Sequence, residues 1–350
     1  MLRRYKKIIQ WLLAAGCLIY IVAFFRKNSQ ELQLLTNLNP LYLIALASLI
    51  FLGHLIFTYR FHMVLKKCTG KTIPFWHWFK MVILGRFLST IAPQAGNIYR
   101  SITLKQNYQI PHAHYAGSLF AVTWMDAIFN FIIAGIILLL FQPEMLLGGI
   151  RMWLLLLLLA VGLALVPIML KILIGRWRFH NPRIKWLHNR LSELLKVSLS
   201  TLGDGPFMFK FFLIGIISFI NAVAAFYLCF GSLGIQVNLS LLALFYVILK
   251  LSNQIMITPG NLGIREIAYG LISQHMQIGM TQGILVSVLI RLISTIVIII
   301  LGFFLGGREL FSGRRKFTQI EGVVLSPSIC RKFTQIEGDK TTSDSPFEAG

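Results

Sequence analysis

Acidic residues are scarce in this chain of 350 residues: 12 Asp and Glu stand against 33 Lys and Arg, giving a formal charge of +21. So few carboxylates leave no paired-carboxylate motif in a soluble segment, which argues against acid–base hydrolysis of the glycosidase kind. Cysteine is equally sparse. Cys17, Cys68, Cys229 and Cys330 are scattered, which excludes both a disulfide framework and the paired spacing of a zinc site. Also missing are G-x-S-x-G, H-E-x-x-H and P-loop patterns, so no cofactor, metal or nucleotide is expected. Charged residues make up only 13% of the chain against 56% hydrophobic. That apolar surface exceeds what one soluble core could bury.

What the chain has instead is long apolar runs. Seven stand out, at about 8–25, 41–59, 116–141, 152–174, 209–230, 240–257 and 283–305, near the roughly 20 residues that a helix needs to cross a bilayer core. None shows the period-two alternation of a barrel strand. Backbone polar groups in lipid must be satisfied internally, so these runs are helices and the fold class is an all-α polytopic membrane protein.

The positive charge could suggest nucleic acid, but its distribution follows the loops. Arg3, Arg4, Lys6 and Lys7 open the chain; Arg60, Lys66, Lys67, Lys71 and Lys80 fill the 60–80 connection; Arg176 to Lys210 fill a third. The connections at 26–40, 142–151 and 231–239 are nearly neutral. Positive-inside bias then places the N-terminus and the basic loops in the cytoplasm of a cell with a multi-pass protein in its plasma or inner membrane. Arg308, Arg314, Arg315 and Lys316 follow the last run and put the C-terminus on the same side. Seven crossings cannot do that, so an eighth is expected at 264–280.

The first 25 residues resemble a secretory signal without a small-residue cleavage site, and are read as an uncleaved anchor. After Gly306 the composition turns polar, and RKFTQIEG occurs twice, at 315–322 and 331–338. Two parts are therefore expected: a membrane domain over 1–306 and a polar tail over 307–350, either disordered with a small duplication or presenting a docking peptide twice.

Two segments break the apolar pattern. In IMITPGNLGIREIAYG, residues 255–270, Pro259 cannot donate a backbone hydrogen bond and Gly260 and Gly263 loosen the helix. Asn261 can cap a restarted helix, whose exposed amides favour anions. In GRFLSTIAPQAGNIYR, residues 85–100, Pro93, Gly96, Asn97 and Arg100 repeat that chemistry. Paired interrupted segments in two halves point to a substrate site at a repeat interface. The segment at 81–99 is read as a re-entrant hairpin, and 258–266 as the second interruption.

These residues carry a resemblance. Pro93-Gln94-Ala95-Gly96-Asn97 with Arg100, then Asp126, then Pro259-Gly260-Asn261-Leu262-Gly263-Ile264-Arg265-Glu266, and finally Arg291 resemble the lysylphosphatidylglycerol synthase transmembrane region, a flippase-like family. The resemblance spans roughly residues 5 to 306. It departs where Asn97 stands in place of the usual glutamate and where Thr123 and Trp124 precede the aspartate without an arginine. What it implies is a lipid-handling membrane domain. The bifunctional relatives transfer aminoacyl groups with a soluble C-terminal domain, which the tail here does not resemble, so no enzyme activity is expected.

The charge census points the same way. Arg86, Arg100, Lys250, Arg265 and Arg291 lie in or near apolar segments, against Asp126 and Glu266. Charges at bilayer depth are expensive and mark a partner or a pathway. Surplus cations suit an anionic lipid headgroup, a phospholipid or a polyprenyl phosphate. Other readings stay open: Arg265 and Glu266 as structural partners, Arg86 and Lys250 snorkelling to the interface, Arg100 as a topology charge, and His54 and His275 as hydrogen-bonded core groups. Asp126 is expected to pair with Arg291 or Lys250. A translocase of anionic lipid is one function these features fit. A second is a scaffold whose partner is a lipid-linked glycosyltransferase or a lipid-modifying enzyme, and a third is a membrane enzyme acting on lipid phosphates.

Overall fold

The computed structural model describes residues 38–91, 94–147, 149–176, 204–252 and 263–312. The first apolar run, Pro93, Pro259, Gly260, Asn261 and most of the polar tail lie outside the described residues. Two compact units divide the chain at 300/301, and the contacts below belong to the first.

Helix α1 runs Pro40–Thr69. Asn39 caps it by accepting from the Leu41 N–H at 2.9 Å, Pro40 fits the first turn, and Gly70 at φ 66° ends it, as an N-terminal proline and a left-handed glycine should. Lys66 and Lys67 sit in its last turn, where they oppose the helix dipole. Next come α2 (Phe75–Ile91) and α3 (Ala95–Tyr108), then the long α4 (His112–Phe141). A two-residue hairpin, β1 (Leu146–Leu147) with β2 (Ile150–Arg151), leads into α5 (Met152–Arg176). Helix α6 (Gly205–Ser232) starts at Asp204, whose carboxylate accepts from the Phe207 N–H at 3.1 Å. The remaining elements are α7 (Leu239–Ser252), α8 (Ile264–His275) and α9 (Met280–Ser312).

Among the described residues four helices are long and apolar enough to span a membrane: α1, α4, α6 and Met280–Gly306 of α9, with shorter apolar helices at Met152–Pro167 and Leu239–Lys250. Their outward faces carry exposed Leu140, Phe141, Phe209 and Ile220, as a lipid-facing surface requires. The protein is an all-α polytopic membrane protein. Helix α9 continues through Ser312, past the expected start of the tail.

Helices α1 and α6 are antiparallel. Tyr42 faces Gly231, the Asn221 amide donates to the Leu49 carbonyl at 3.0 Å, and Lys67 bonds Asp204. Helices α4 and α5 are likewise antiparallel, with Trp124 Nε1 donating to the Leu163 carbonyl at 3.1 Å and Gly135 seated on Leu157. Against these long helices lie two pairs of half-length ones.

The first pair is α2 and α3. Gly96 abuts the Gly85 carbonyl and Ser89, while at the other end Lys71, just before α2, donates to the Tyr108 carbonyl at 2.7 Å. Helix α3 therefore runs back along α2, as the re-entrant reading of 81–99 expects.

The second pair is α7 and α8. Phe245 and Tyr269 rings lie 5.6 Å apart, whereas a straight helix would separate residues that far apart in sequence by about 36 Å. So α8 also packs back against α7. This differs from the expected crossing at 264–280: α8 has 12 residues, about 18 Å, and is too short to traverse a core of about 30 Å.

A common order results. A long helix, a folded-back pair and another long helix occur as α1, α2–α3, α4 and again as α6, α7–α8, α9. Each pair follows its long helix by a short connection, at 70–74 and 233–238. Since α1 and α6 are antiparallel, the two pairs enter from opposite ends of that helix couple, the arrangement of inverted repeats. Two apolar cores each draw on both halves. Phe61, Trp78, Tyr115 and Phe211 centre one, and Phe226, Phe230, Phe245 and Tyr269 centre the other.

Candidate functional site

A cation on the first arm of each pair meets the midpoint of a long helix. At the first, Arg86 on α2 donates from Nη1 to His54 Nδ1 at 2.8 Å and lies 4.7 Å from the Phe57 ring. His54 is the midpoint of α1. At the second, Lys250 on α7 meets Asp126, the midpoint of α4, with Nζ to Oδ2 at 3.3 Å. Both cations thus have partners inside the helix bundle.

Around the first turn, Gly96 has no room for a Cβ, which would strike the Gly85 carbonyl. That close approach lets α3 lay its Arg100 across Gly85. The buried guanidinium donates from Nε to the Gly96 carbonyl at 3.1 Å and from Nη2 to Asn97 Oδ1 at 2.7 Å. Asn97 Oδ1 also accepts from the Tyr115 hydroxyl at 3.3 Å, and its Nδ2 donates to Gln94 at 3.0 Å. Arg100 is thus a buried residue at the helix turn, not a loop charge. Among the described residues neither Arg86 nor Arg100 forms an ion pair.

The second group centres on Asp126. Besides Lys250 it pairs with Arg60 of α1, whose side chain is only 3% exposed and whose guanidinium lies 4.0 Å from the Phe211 ring. Arg60 Nε and Nη2 are buried without a hydrogen-bond partner. The expected pairing of Asp126 with Lys250 is present; Arg291 pairs elsewhere. Arg60 is the residue that sequence reasoning missed. It ends an apolar run, so it read as a loop charge, yet α1 continues nine residues beyond it to Thr69. Gly70, the left-handed stop, was the available signal.

The third group forms where α8 restarts. Its cap is Gly263 at φ 80°, two residues after the expected Asn261, because a positive φ favours glycine. Glu266 reaches back to the Gly263 N–H with Oε2 at 2.8 Å, and its Oε1 bonds Arg291 Nη2 of α9 at 3.0 Å. Arg265 donates to the Tyr269 hydroxyl at 3.1 Å and lies 5.1 Å from that ring, with Nε buried and unpartnered. Gly283 packs α9 against the Tyr269 carbonyl, so α8 and α9 are also close and antiparallel. His275 is exposed, within 3.3 Å of the Leu271 carbonyl.

Among the described residues, six cations, Arg60, Arg86, Arg100, Lys250, Arg265 and Arg291, lie on or against the two helix pairs with two carboxylates, Asp126 and Glu266. Burying an ion costs several kcal/mol unless it is paired, so a surplus of four positive charges is tolerable only with further donors and acceptors or a bound anion. Among the described residues no three His, Cys, Asp or Glu side chains gather as a metal site would need.

A family model described as the lysylphosphatidylglycerol synthase TM region matches residues 8–302. No curated protein and no solved structure gives a significant match to the chain. The matched range contains both folded-back helix pairs and every cation named above. This chain, an integral membrane protein, belongs to the family of the lysylphosphatidylglycerol synthase TM region.

Proposed function

We propose that the protein binds the anionic headgroup of a lipid, of phospholipid or polyprenyl-phosphate type, between its two folded-back helix pairs and carries it between leaflets. The observation that supports this reading is the surplus of cations over carboxylates on helix pairs that meet the midpoints of α1 and α4. Broken helix ends at mid-depth are where transporters hold charged substrates, and entry from opposite ends suits alternating exposure. Arginine supplies planar, paired donors for phosphate oxygens.

The same reading proposes a topology. With both short pairs re-entrant, the crossings are the 8–25 run, α1, α4, α5, α6 and α9, an even number that leaves both termini in the cytoplasm. It replaces the eighth crossing with a second re-entrant hairpin, and agrees with the basic residues after Gly306.

A leaflet-exchange assay tests the function. Purified protein in liposomes carrying labelled phosphatidylglycerol or polyprenyl phosphate is expected to exchange the label. Arg265→Ala and Arg291→Ala are expected to abolish that exchange while the protein still inserts. Unchanged exchange in both variants would remove the site assignment. Folded wild-type protein that exchanges none of these lipids would favour a scaffold role instead.

A further inference from the structure

Both carboxylates of the site divide their two oxygens in the same way. Asp126 gives Oδ1 to Arg60, whose side chain is 3% exposed, and Oδ2 to Lys250, whose side chain is 24% exposed. Glu266 gives Oε2 to the buried N–H of Gly263 and Oε1 to Arg291, whose side chain is 23% exposed. One oxygen faces a buried partner, the hydrogen-bonded Gly263 N–H for Glu266 and the Arg60 charge for Asp126. The other holds a cation that remains accessible, at 3.3 Å for Lys250 and 3.0 Å for Arg291. The carboxylates themselves are only 9% and 6% exposed.

We infer that Asp126 and Glu266 are resident counter-ions, occupying Lys250 and Arg291 in the empty protein, and that a phosphate-bearing ligand binds by taking these two cations from them. The inference rests on the anionic-lipid reading above and names the contacts that change. A buried cation left alone is costly, so an empty site needs an internal anion. That anion must release one cation without itself becoming unpaired. Glu266, with one oxygen on a helix-cap N–H, meets that condition; Asp126 meets it through charge, its Oδ1 lying beside the Arg60 guanidinium without a hydrogen bond. A phosphate, with several acceptor oxygens, matches one ammonium and one guanidinium at once. A zwitterionic headgroup brings its own cation and would gain less from the exchange.

The geometry also couples binding to the fold. Lys250 lies at the end of α7, whereas Asp126 belongs to α4. Glu266 opens α8, whereas Arg291 belongs to α9. Both releasable bonds therefore join an arm of the second re-entrant pair to a long helix. Exchanging them for ligand phosphate would untie α7 from α4 and α8 from α9, leaving the pair free to shift relative to those helices.

The test uses the full chain in phosphatidylcholine nanodiscs, with phosphatidylglycerol titrated in and retained lipid counted by native mass spectrometry. Glu266→Gln keeps an acceptor for the Gly263 N–H but no longer holds a charge against Arg291. It is expected to bind phosphatidylglycerol roughly threefold to tenfold more tightly. The double change Arg60→Met with Asp126→Asn removes the second counter-ion together with its anchor, avoids an orphaned arginine, and is expected to act in the same direction. Lys250→Gln and Arg291→Gln are expected to weaken binding by roughly tenfold or more.

Purely structural ion pairs predict the opposite sign for the first two variants. If folded Glu266→Gln and the double variant bind phosphatidylglycerol equally or less well while the wild type binds it, the exchange is wrong and the lipid reading stands. If the wild type retains no phosphatidylglycerol or phosphatidic acid, both fall together. Inorganic phosphate added as competitor separates the sources of the ligand: displacement of lipid supports exchange on the phosphate group alone, and resistance with the variant pattern intact supports exchange on a membrane-held headgroup.

Discussion

Lys250 Nζ lies 3.3 Å from Asp126 Oδ2, tying the broken end of α7 to the midpoint of α4 across 124 residues of chain. Arg60 holds the other oxygen of the same carboxylate. This group joins α1, α4 and α7, and removing its central anion should be felt throughout. Asp126→Ala is expected to lower stability by about 3–5 kcal/mol, because it strands a buried Arg60. Arg60→Met combined with Asp126→Asn should recover most of that loss. Thermal unfolding in detergent measures both; equal losses in the single and double variants would contradict the pairing.

The first re-entrant turn depends on a bare backbone contact. Gly96→Ala would drive a Cβ into the Gly85 carbonyl and Ser89, and is expected to cost about 1–3 kcal/mol. Gly162, where an added methyl would meet nothing within 4 Å, is the control: Gly162→Ala should be neutral or stabilising by up to about 1 kcal/mol. A melting comparison of the two variants checks the contrast in sign.

Asn97 sets the charge of that turn. Asn97 Oδ1 lies 2.7 Å from Arg100 Nη2, so Asn97→Glu would form an ion pair with Arg100 and reduce the positive surplus by one. The expected outcome is an unchanged or raised melting temperature together with weaker retention of phosphatidylglycerol. Retention as strong as in the wild type would show that Arg100 takes no part in holding the anion.

Outside the membrane-spanning segments, the hydrogen bond from Lys67 holds the Asp204 carboxyl below the usual carboxylate range, helped by the Phe207 N–H. A folded-state value depressed below the unfolded one contributes stability that is present above the unfolded carboxylate value, about 4, and is lost as pH falls through the folded value. Asp204→Asn should therefore melt lower than the wild type at neutral pH, and the two curves should converge on acidification. A difference that persists at low pH would assign the effect to something other than this charge.

Much of the fold was legible in the sequence. Runs such as 116–141 and 209–230 became α4 and α6 because lipid leaves a helix as the one way to satisfy the backbone of an open chain. Gly96 announced the first break, whereas the helix start expected at Asn261 lies at Gly263. Less legible was the fate of 264–280. Its length suggested a crossing, but α8 folds back on α7, and only the packing of Tyr269 against Phe245 and Phe226 decides that. Arg60 was hidden for a related reason: hydropathy marks where an apolar run ends, whereas a helix ends where its cap is, here at Gly70.

By itself the sequence determined the solvent of this protein, its helical class, its two interruptions and its excess of positive charge, because these follow from composition and from the local stereochemistry of proline and glycine. Which cation meets which carboxylate was decided by tertiary structure alone. Asp126 could have paired with Arg291, and instead holds Arg60 and Lys250, while Arg291 joins Glu266. Ion pairs reach only a few ångströms, and partners so far apart in sequence come within that range only when antiparallel helices and folded-back half-helices bring them to the same depth.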